Sequence, residues 1–287
     1  MRIFNRLPNN KTPPLARREG EFFFKFRPSR LVNDSSRRRG SAAMRMPTTD
    51  KGGLNPFFIS PRAPGSSLKS AGTIIASYRT YISKYAGKDQ SLVKRVFDAI
   101  PSELGKQDKR FVLSNLEHGA SRRKYGDPTQ WLIDAGMAYY SFNTTAFELP
   151  FEATENRKLY KLYSVDTGLL SCMLLKNLQF SVMNGAISVN EGALAENFVA
   201  CQLSAKSIPL HYYDKKSKQE LDFIIEEDNA ISILEVKSGQ SFQHHASLNA
   251  ALSAYADKIK RSVVLCTSNI FVQGDVCYMP IYMAMFM

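Results

Sequence analysis

The chain has 287 residues and a formal charge of +12, with 44% hydrophobic residues, so a collagen-like, wholly disordered or disulfide-framework protein is excluded and a sizeable core can be buried. The charge is uneven: residues 1 to 70 hold 15 of the 38 Lys and Arg but only 4 of the 26 Asp and Glu, which leaves the rest almost neutral at 23 against 22. The four cysteines, Cys172, Cys201, Cys266 and Cys277, show no C-x-x-C spacing, which points to a reducing, cytoplasmic setting. No signal peptide is legible at the start, and no apolar run approaches the roughly 20 residues that cross a bilayer, so no membrane association is expected.

Residues 1 to 70 contain 8 of the 13 prolines and the run Arg37-Arg38-Arg39, with no apolar period that lasts, so a disordered basic segment is expected there. From Ala71 the period becomes helical. Ile74, Ile75, Tyr78 and Ile82 form one stripe ending near Gly87, and Leu92, Val93, Val96, Phe97 and Ile100 form a second that Pro101 is expected to stop. Asp127-Pro128 reads as a helix start, with Trp131, Leu132 and Ala135 following. Two short strands, 137–142 and 146–149, then read as a hairpin. Helices followed by a hairpin is the order of a winged helix, predicted over 71–155, a scaffold that serves either DNA or protein docking.

The region 156–287 opens with a strand over Lys158–Ser164. Ser188 and Glu191 make a capping-box pattern for a helix to about Leu203, on which Glu196 borders two apolar stripes. Strands are predicted over 211–213, 220–225 and 231–237, the last two joined by the acidic turn Glu226-Glu-Asp-Asn229. Alternation puts Ile231, Ile233, Glu235 and Lys237 on one face, and the hairpin brings Asp222 roughly opposite Glu235. Two carboxylates beside a lysine suit metal-assisted phosphodiester hydrolysis. Asp222 and Glu235 would offer Mg²⁺ hard oxygen ligands, Lys237 would hold the nucleophile or offset charge on phosphate, and Glu196 would bind the metal through water or orient the attack. Glu-Val-Lys alone is common on exposed strands; its pairing with Asp222 and an upstream helical glutamate is less generic. His244-His245 reads as part of a solvated loop, and further strands are expected over 262–266 and 276–279.

The segments Asn190-Glu-Gly-Ala-Leu-Ala-Glu-Asn-Phe-Val199, Glu220-Leu-Asp-Phe-Ile224 and Leu234-Glu-Val-Lys-Ser-Gly239 resemble the uncharacterised C-terminal domain that follows the P-loop domain in bacterial and archaeal AAA-type ATPases. Ile100-Pro-Ser-Glu-Leu104, Lys109-Arg-Phe111, Trp131-Leu-Ile-Asp-Ala-Gly136 and Leu159–Leu170 agree with the same pattern in order. The resemblance implies an α/β architecture: a winged-helix-like helical part, then a restriction-endonuclease-like mixed sheet of PD-(D/E)xK type flanked by helices, with Glu196, Asp222, Glu235 and Lys237 at the matching site positions. No G-x-x-x-x-G-K-[ST] occurs in the chain, so no ATP hydrolysis is expected of it. The unmatched front suggests a truncated, frame-disrupted or fused reading frame. Two functions follow as expectations: a Mg²⁺-dependent nuclease or nuclease-derived module acting on DNA, or a non-catalytic module that binds DNA or a protein partner.

Overall fold

A computed structural model describes residues 64–175, 191–215 and 219–287. Helix α1 (Pro64–Tyr85) begins with proline at its first position, where no amide donor is needed, so the helix starts seven residues before the apolar stripe announces it. The disordered segment expected over 1–70 otherwise lies outside the described residues, as does the capping-box Ser188. Helix α2 (Gln90–Leu104) runs through Pro101 instead of stopping there, because Leu104, 1% exposed, extends the buried stripe of Val93, Val96, Phe97 and Ile100 by one more turn. Helix α3 (Arg122–Asp134) likewise starts before Asp127-Pro128. Its buried stripe is Tyr125, Pro128, Thr129 and Leu132, and the Thr129 hydroxyl donates to the Tyr125 carbonyl. Burial of Tyr125 draws the first turn into the helix, which outweighs the local preference for proline at a helix start.

The remaining elements are β1 (Ala138–Thr144), β2 (Glu155–Ser164), α4 (Thr167–Leu175), α5 (Glu191–Ala205), β3 (His211–Asp214), β4 (Glu220–Glu227), β5 (Ala230–Val236), α6 (Ala246–Tyr255), β6 (Ile259–Cys266), β7 (Phe271–Gln273) and β8 (Val276–Pro280). They build a mixed eight-stranded sheet in the order β2-β1-β3-β4-β5-β6-β8-β7. The strands predicted near 211–213, 220–225, 231–237, 262–266 and 276–279 all form. The hairpin expected between 137–142 and 146–149 does not: the second segment is no strand, and β1 pairs antiparallel with β2 on one side and parallel with β3 on the other. The first strand that sequence order suggested for a free wing is therefore built into the sheet. Among the described residues no helix is long and apolar enough to cross a membrane.

Two apolar layers sandwich the sheet. One joins residues of α1 to α5 with Phe223, Ile225, Leu234, Val236, Val263 and Leu265; the other joins Leu248 and Ala251 of α6 with Ile224, Ile231, Ile233, Val264 and Cys266. Alternate residues of β4, β5 and β6 thus serve opposite layers, which is why these strands are apolar on both faces. The crossover from β5 through α6 to β6 makes the parallel pair that the short β4–β5 connection cannot.

The β4–β5 connection is a two-residue loop, with Glu227 paired to Ala230 and with Asp228 and Asn229 at φ of 52° and 59°. Two consecutive left-handed residues form the mirror-image turn that matches strand twist, and Asp and Asn tolerate that conformation. This turn sets the register of the hairpin that carries Asp222 and Glu235. Replacing Asn229 by the β-branched valine is expected to cost about 1–2 kcal/mol in urea denaturation, while Asn229→Gly leaves stability unchanged or raises it. A stable Asn229→Val protein would show that the turn does not hold the register.

Candidate functional site

The site begins where the β4–β5 ladder ends. Phe223 faces Leu234 as the last pair, and the same register carried one residue further sets Asp222 across from Glu235. Pairing of β4 with β3 is irregular here: His211 faces Ile224 while Tyr213 faces Leu221, so β4 has one extra residue at this point. Such a bulge re-aims side chains. The Asp222 carboxylate takes the place of a backbone acceptor, its Oδ2 receiving the Val236 amide at 2.8 Å. Glu235 is 4% exposed; its Oε1 lies 2.7 Å from Lys237 Nζ, and its Oε2 is buried with no hydrogen-bond partner.

Glu196 arrives from α5, on the opposite layer, and is 1% exposed. Lys161 Nζ of β2 stands 3.0 Å from its Oε1, the Tyr163 hydroxyl donates to the same oxygen, and Lys109 donates to Oε2. Lys161 is itself fully buried, lies 2.7 Å from Glu220 Oε1, and sits 5.0 Å from the centre of the Tyr212 ring. Burial alone would push Glu196 up, but the ammonium groups of Lys109 and Lys161 hold its pKa down to about 2. It is a fixed anion.

The other two carboxylates behave in the opposite way. Burial, and then the negative charge of Glu196, raise Asp222 against the pull of Lys109, Lys161 and Lys237. Burial, and then Asp222, push Glu235 to about 8 in spite of its bond to Lys237. Lys237 is raised: burial works to lower it, but Glu235, Asp222 and Glu196 outweigh that. Two adjacent carboxyl groups that resist ionisation together are the pattern expected where a proton or a cation must be shared.

All four residues singled out from the sequence therefore meet in one electrostatic cluster. Their roles divide differently from the sequence reading. Glu196 is committed to two lysines and a tyrosine, so it is not free to orient an attacking water, and Asp222 and Glu235 stand as a pair of carboxylates. Among the described residues no group of three or more His, Cys, Asp or Glu side chains is arranged to hold a metal ion. The residues fit a hard cation through that pair: a buried, unpartnered carboxylate oxygen beside a second carboxylate is the donor type that Mg²⁺ takes, with water completing its shell.

Sequence reasoning missed Lys109, Lys161, Tyr163 and Glu220. A signal for Lys161 existed: it interrupts the run Tyr160–Ser164, which is buried throughout, and a lysine in a strand covered on both faces must have a partner. Of His244-His245, His244 is exposed as expected, but its neighbour is not. His245 is 6% exposed, and its Nε2 lies 2.6 Å from the Tyr278 hydroxyl, so it is packed against β8 and not solvated.

The raised Glu235 carboxyl sets a pH dependence. Its pKa of about 8 in the folded protein stands above the ordinary 4.5, so the folded state retains a proton that the unfolded state has lost. That contribution is fully present below about 4.5 and disappears as pH rises through about 8. Denaturation in the presence of a chelator should show stability falling across this window, and Glu235→Gln should flatten the slope. An equally steep decline in the variant would assign the dependence elsewhere.

Residues 191–283 match the family described as Domain of unknown function (DUF4143), and residues 66–179 match the family described as Domain of unknown function (DUF8612). No curated protein and no solved structure matches the chain. Glu196, Glu220, Asp222, Glu235 and Lys237 fall within the first match, while Lys109, Lys161 and Tyr163 fall within the second. The charge cluster is thus assembled from both.

Proposed function

We propose that the chain carries a nuclease-type site for Mg²⁺-dependent hydrolysis of a phosphodiester in DNA. The observation that carries this reading is Glu235, buried with one carboxylate oxygen unpartnered, beside Asp222 and bonded to Lys237. The order α5-β3-β4-β5-α6-β6 supports it, because that succession and the Asp222, Glu235-x-Lys237 spacing are those of the restriction-endonuclease-like PD-(D/E)xK fold that the sequence resembles. The helical part before it, α1 to α3, is read as the docking portion. The resemblance to modules that follow a P-loop domain supports a role as the C-terminal module of an AAA-type protein. All four cysteines are free thiols, which supports a cytoplasmic setting.

Asp222 and Glu235 would hold the ion, which when bound would supply charge neutralisation at the phosphate and activation of the attacking water. Lys237 shares the Glu235 carboxylate and is partly exposed, so its ammonium can hold a water or a phosphate oxygen at the mouth of the site. Glu196, kept ionised, raises the cost of a second negative charge on Asp222 and so favours a cation there over an empty ionised pair.

A second reading has a specific observation in its favour. Glu196 is taken up by Lys109, Lys161 and Tyr163, and the body of the chain is almost neutral where a nuclease groove is usually basic. A module that binds DNA or a protein without cutting would look like this.

Purified protein with Mg²⁺ and a panel of single- and double-stranded DNA should give cleavage that falls by a factor of about 100 or more in Asp222→Ala and Lys237→Ala. Absence of cleavage on every substrate, with salt-dependent binding that persists in Asp222→Ala, would favour the non-catalytic reading.

A further inference from the structure

Glu196 is bonded by two lysines that differ in their access to water. Lys161 is fully buried, lies 3.0 Å from Oε1, and shares that oxygen with the Tyr163 hydroxyl. These two groups neutralise the anion from inside the protein, where no ligand reaches them. Lys109 is the second cation and differs in every respect that matters. It comes from the segment after α2, it bonds the other oxygen, and its side chain keeps 19% of its exposure where Lys161 has none. It also feels the charge of Asp222 as well as that of Glu196, so it belongs to the same charge cluster as the partly exposed Asp222.

Losing one partner of a buried ion pair is costly when the survivor is stranded, and much less so when another partner remains. Lys109 can leave Glu196 without stranding it. Lys161 cannot turn to a ligand, because it is fully buried and bonds Glu196 and Glu220 at once.

We infer that Lys109 is a phosphate-contacting residue of the candidate site. It turns from Glu196 to a non-bridging oxygen of a nucleic-acid backbone lying beside Asp222 and Lys237, while Lys161 and Tyr163 keep Glu196 neutralised. The inference rests on the nucleic-acid reading above and gives residues 66–179 a direct hand in substrate recognition.

The test is binding of a fluorescently labelled DNA oligonucleotide to the full chain, with Ca²⁺ in place of Mg²⁺, across a range of salt. Lys109→Gln should weaken binding roughly tenfold, as expected for one charge-assisted contact, and lower the slope of log affinity against log salt by about 1. Lys109→Arg, which keeps the charge, should bind close to the unaltered protein. Lys109→Gln should also melt within about 4 °C of the unaltered protein, whereas Lys161→Met should melt well below it. Unchanged affinity and slope in Lys109→Gln, beside clear binding by the unaltered protein, would overturn the inference alone. So would a loss of thermal stability in Lys109→Gln equal to that in Lys161→Met, which marks a structural cation. No binding by the unaltered protein at low salt would overturn the nucleic-acid reading and the inference together.

Discussion

Negative charge is in excess at one buried point of this fold. Glu196, Glu220, Asp222 and Glu235 converge with Lys109, Lys161 and Lys237, four acids against three bases, and two of the acids have almost no exposure to water. A charge removed from water costs several kcal/mol unless it is paired. The cluster resolves that cost unequally: Glu196 is paired and ionised, while Asp222 and Glu235 are left to share a proton or a cation. The functional reading follows from this inequality more than from any one residue.

The architecture explains how such a cluster can exist inside a hydrophobic core. Glu196 and Lys161 tie α5 to β2 across the larger apolar layer, and Glu235 follows Ile231 and Ile233 along the face that meets α6. Groups on opposite faces of a sheet do not normally meet. Here Asp222 links them: the β4–β5 ladder opens at Phe223 and Leu234 and β4 bulges beside β3, which lets the Asp222 carboxylate reach the Val236 amide, where it feels the charge of Glu196 and acts on Glu235. The cations come partly from a different stretch of chain, Lys161 from β2 and Lys109 from the segment after α2, so the charge on Glu196 is met from outside residues 191–283.

Much of this was legible in the sequence, and the failures have physical causes. The alternation of Ile231, Ile233, Glu235 and Lys237 and the acidic turn Glu226-Glu-Asp-Asn229 were enough to set Asp222 roughly opposite Glu235, and the two-residue loop that forms within that turn fixes the register. Glu196 read as a carboxylate that could not face water, and it does not. Local proline rules failed at Pro101 and Pro128, where burial of Leu104 and Tyr125 outweighs the lost hydrogen bond. The wing was misread because β1 finds β3, some 70 residues further along the chain, a pairing that no short-range pattern announces. Lys109 and Lys161 escaped for the same reason, since their partner Glu196 is 87 and 35 residues away.

A nuclease-type site requires that the acidic pair take up a cation. Titration calorimetry with Mg²⁺ near pH 7, repeated in buffers of different ionisation enthalpy, measures this directly. Binding should be accompanied by release of about one proton as Glu235 ionises, and both heat and proton should be lost in Asp222→Asn and Glu235→Gln. Absence of binding to the unaltered protein, or binding that survives unchanged in those variants, would contradict it.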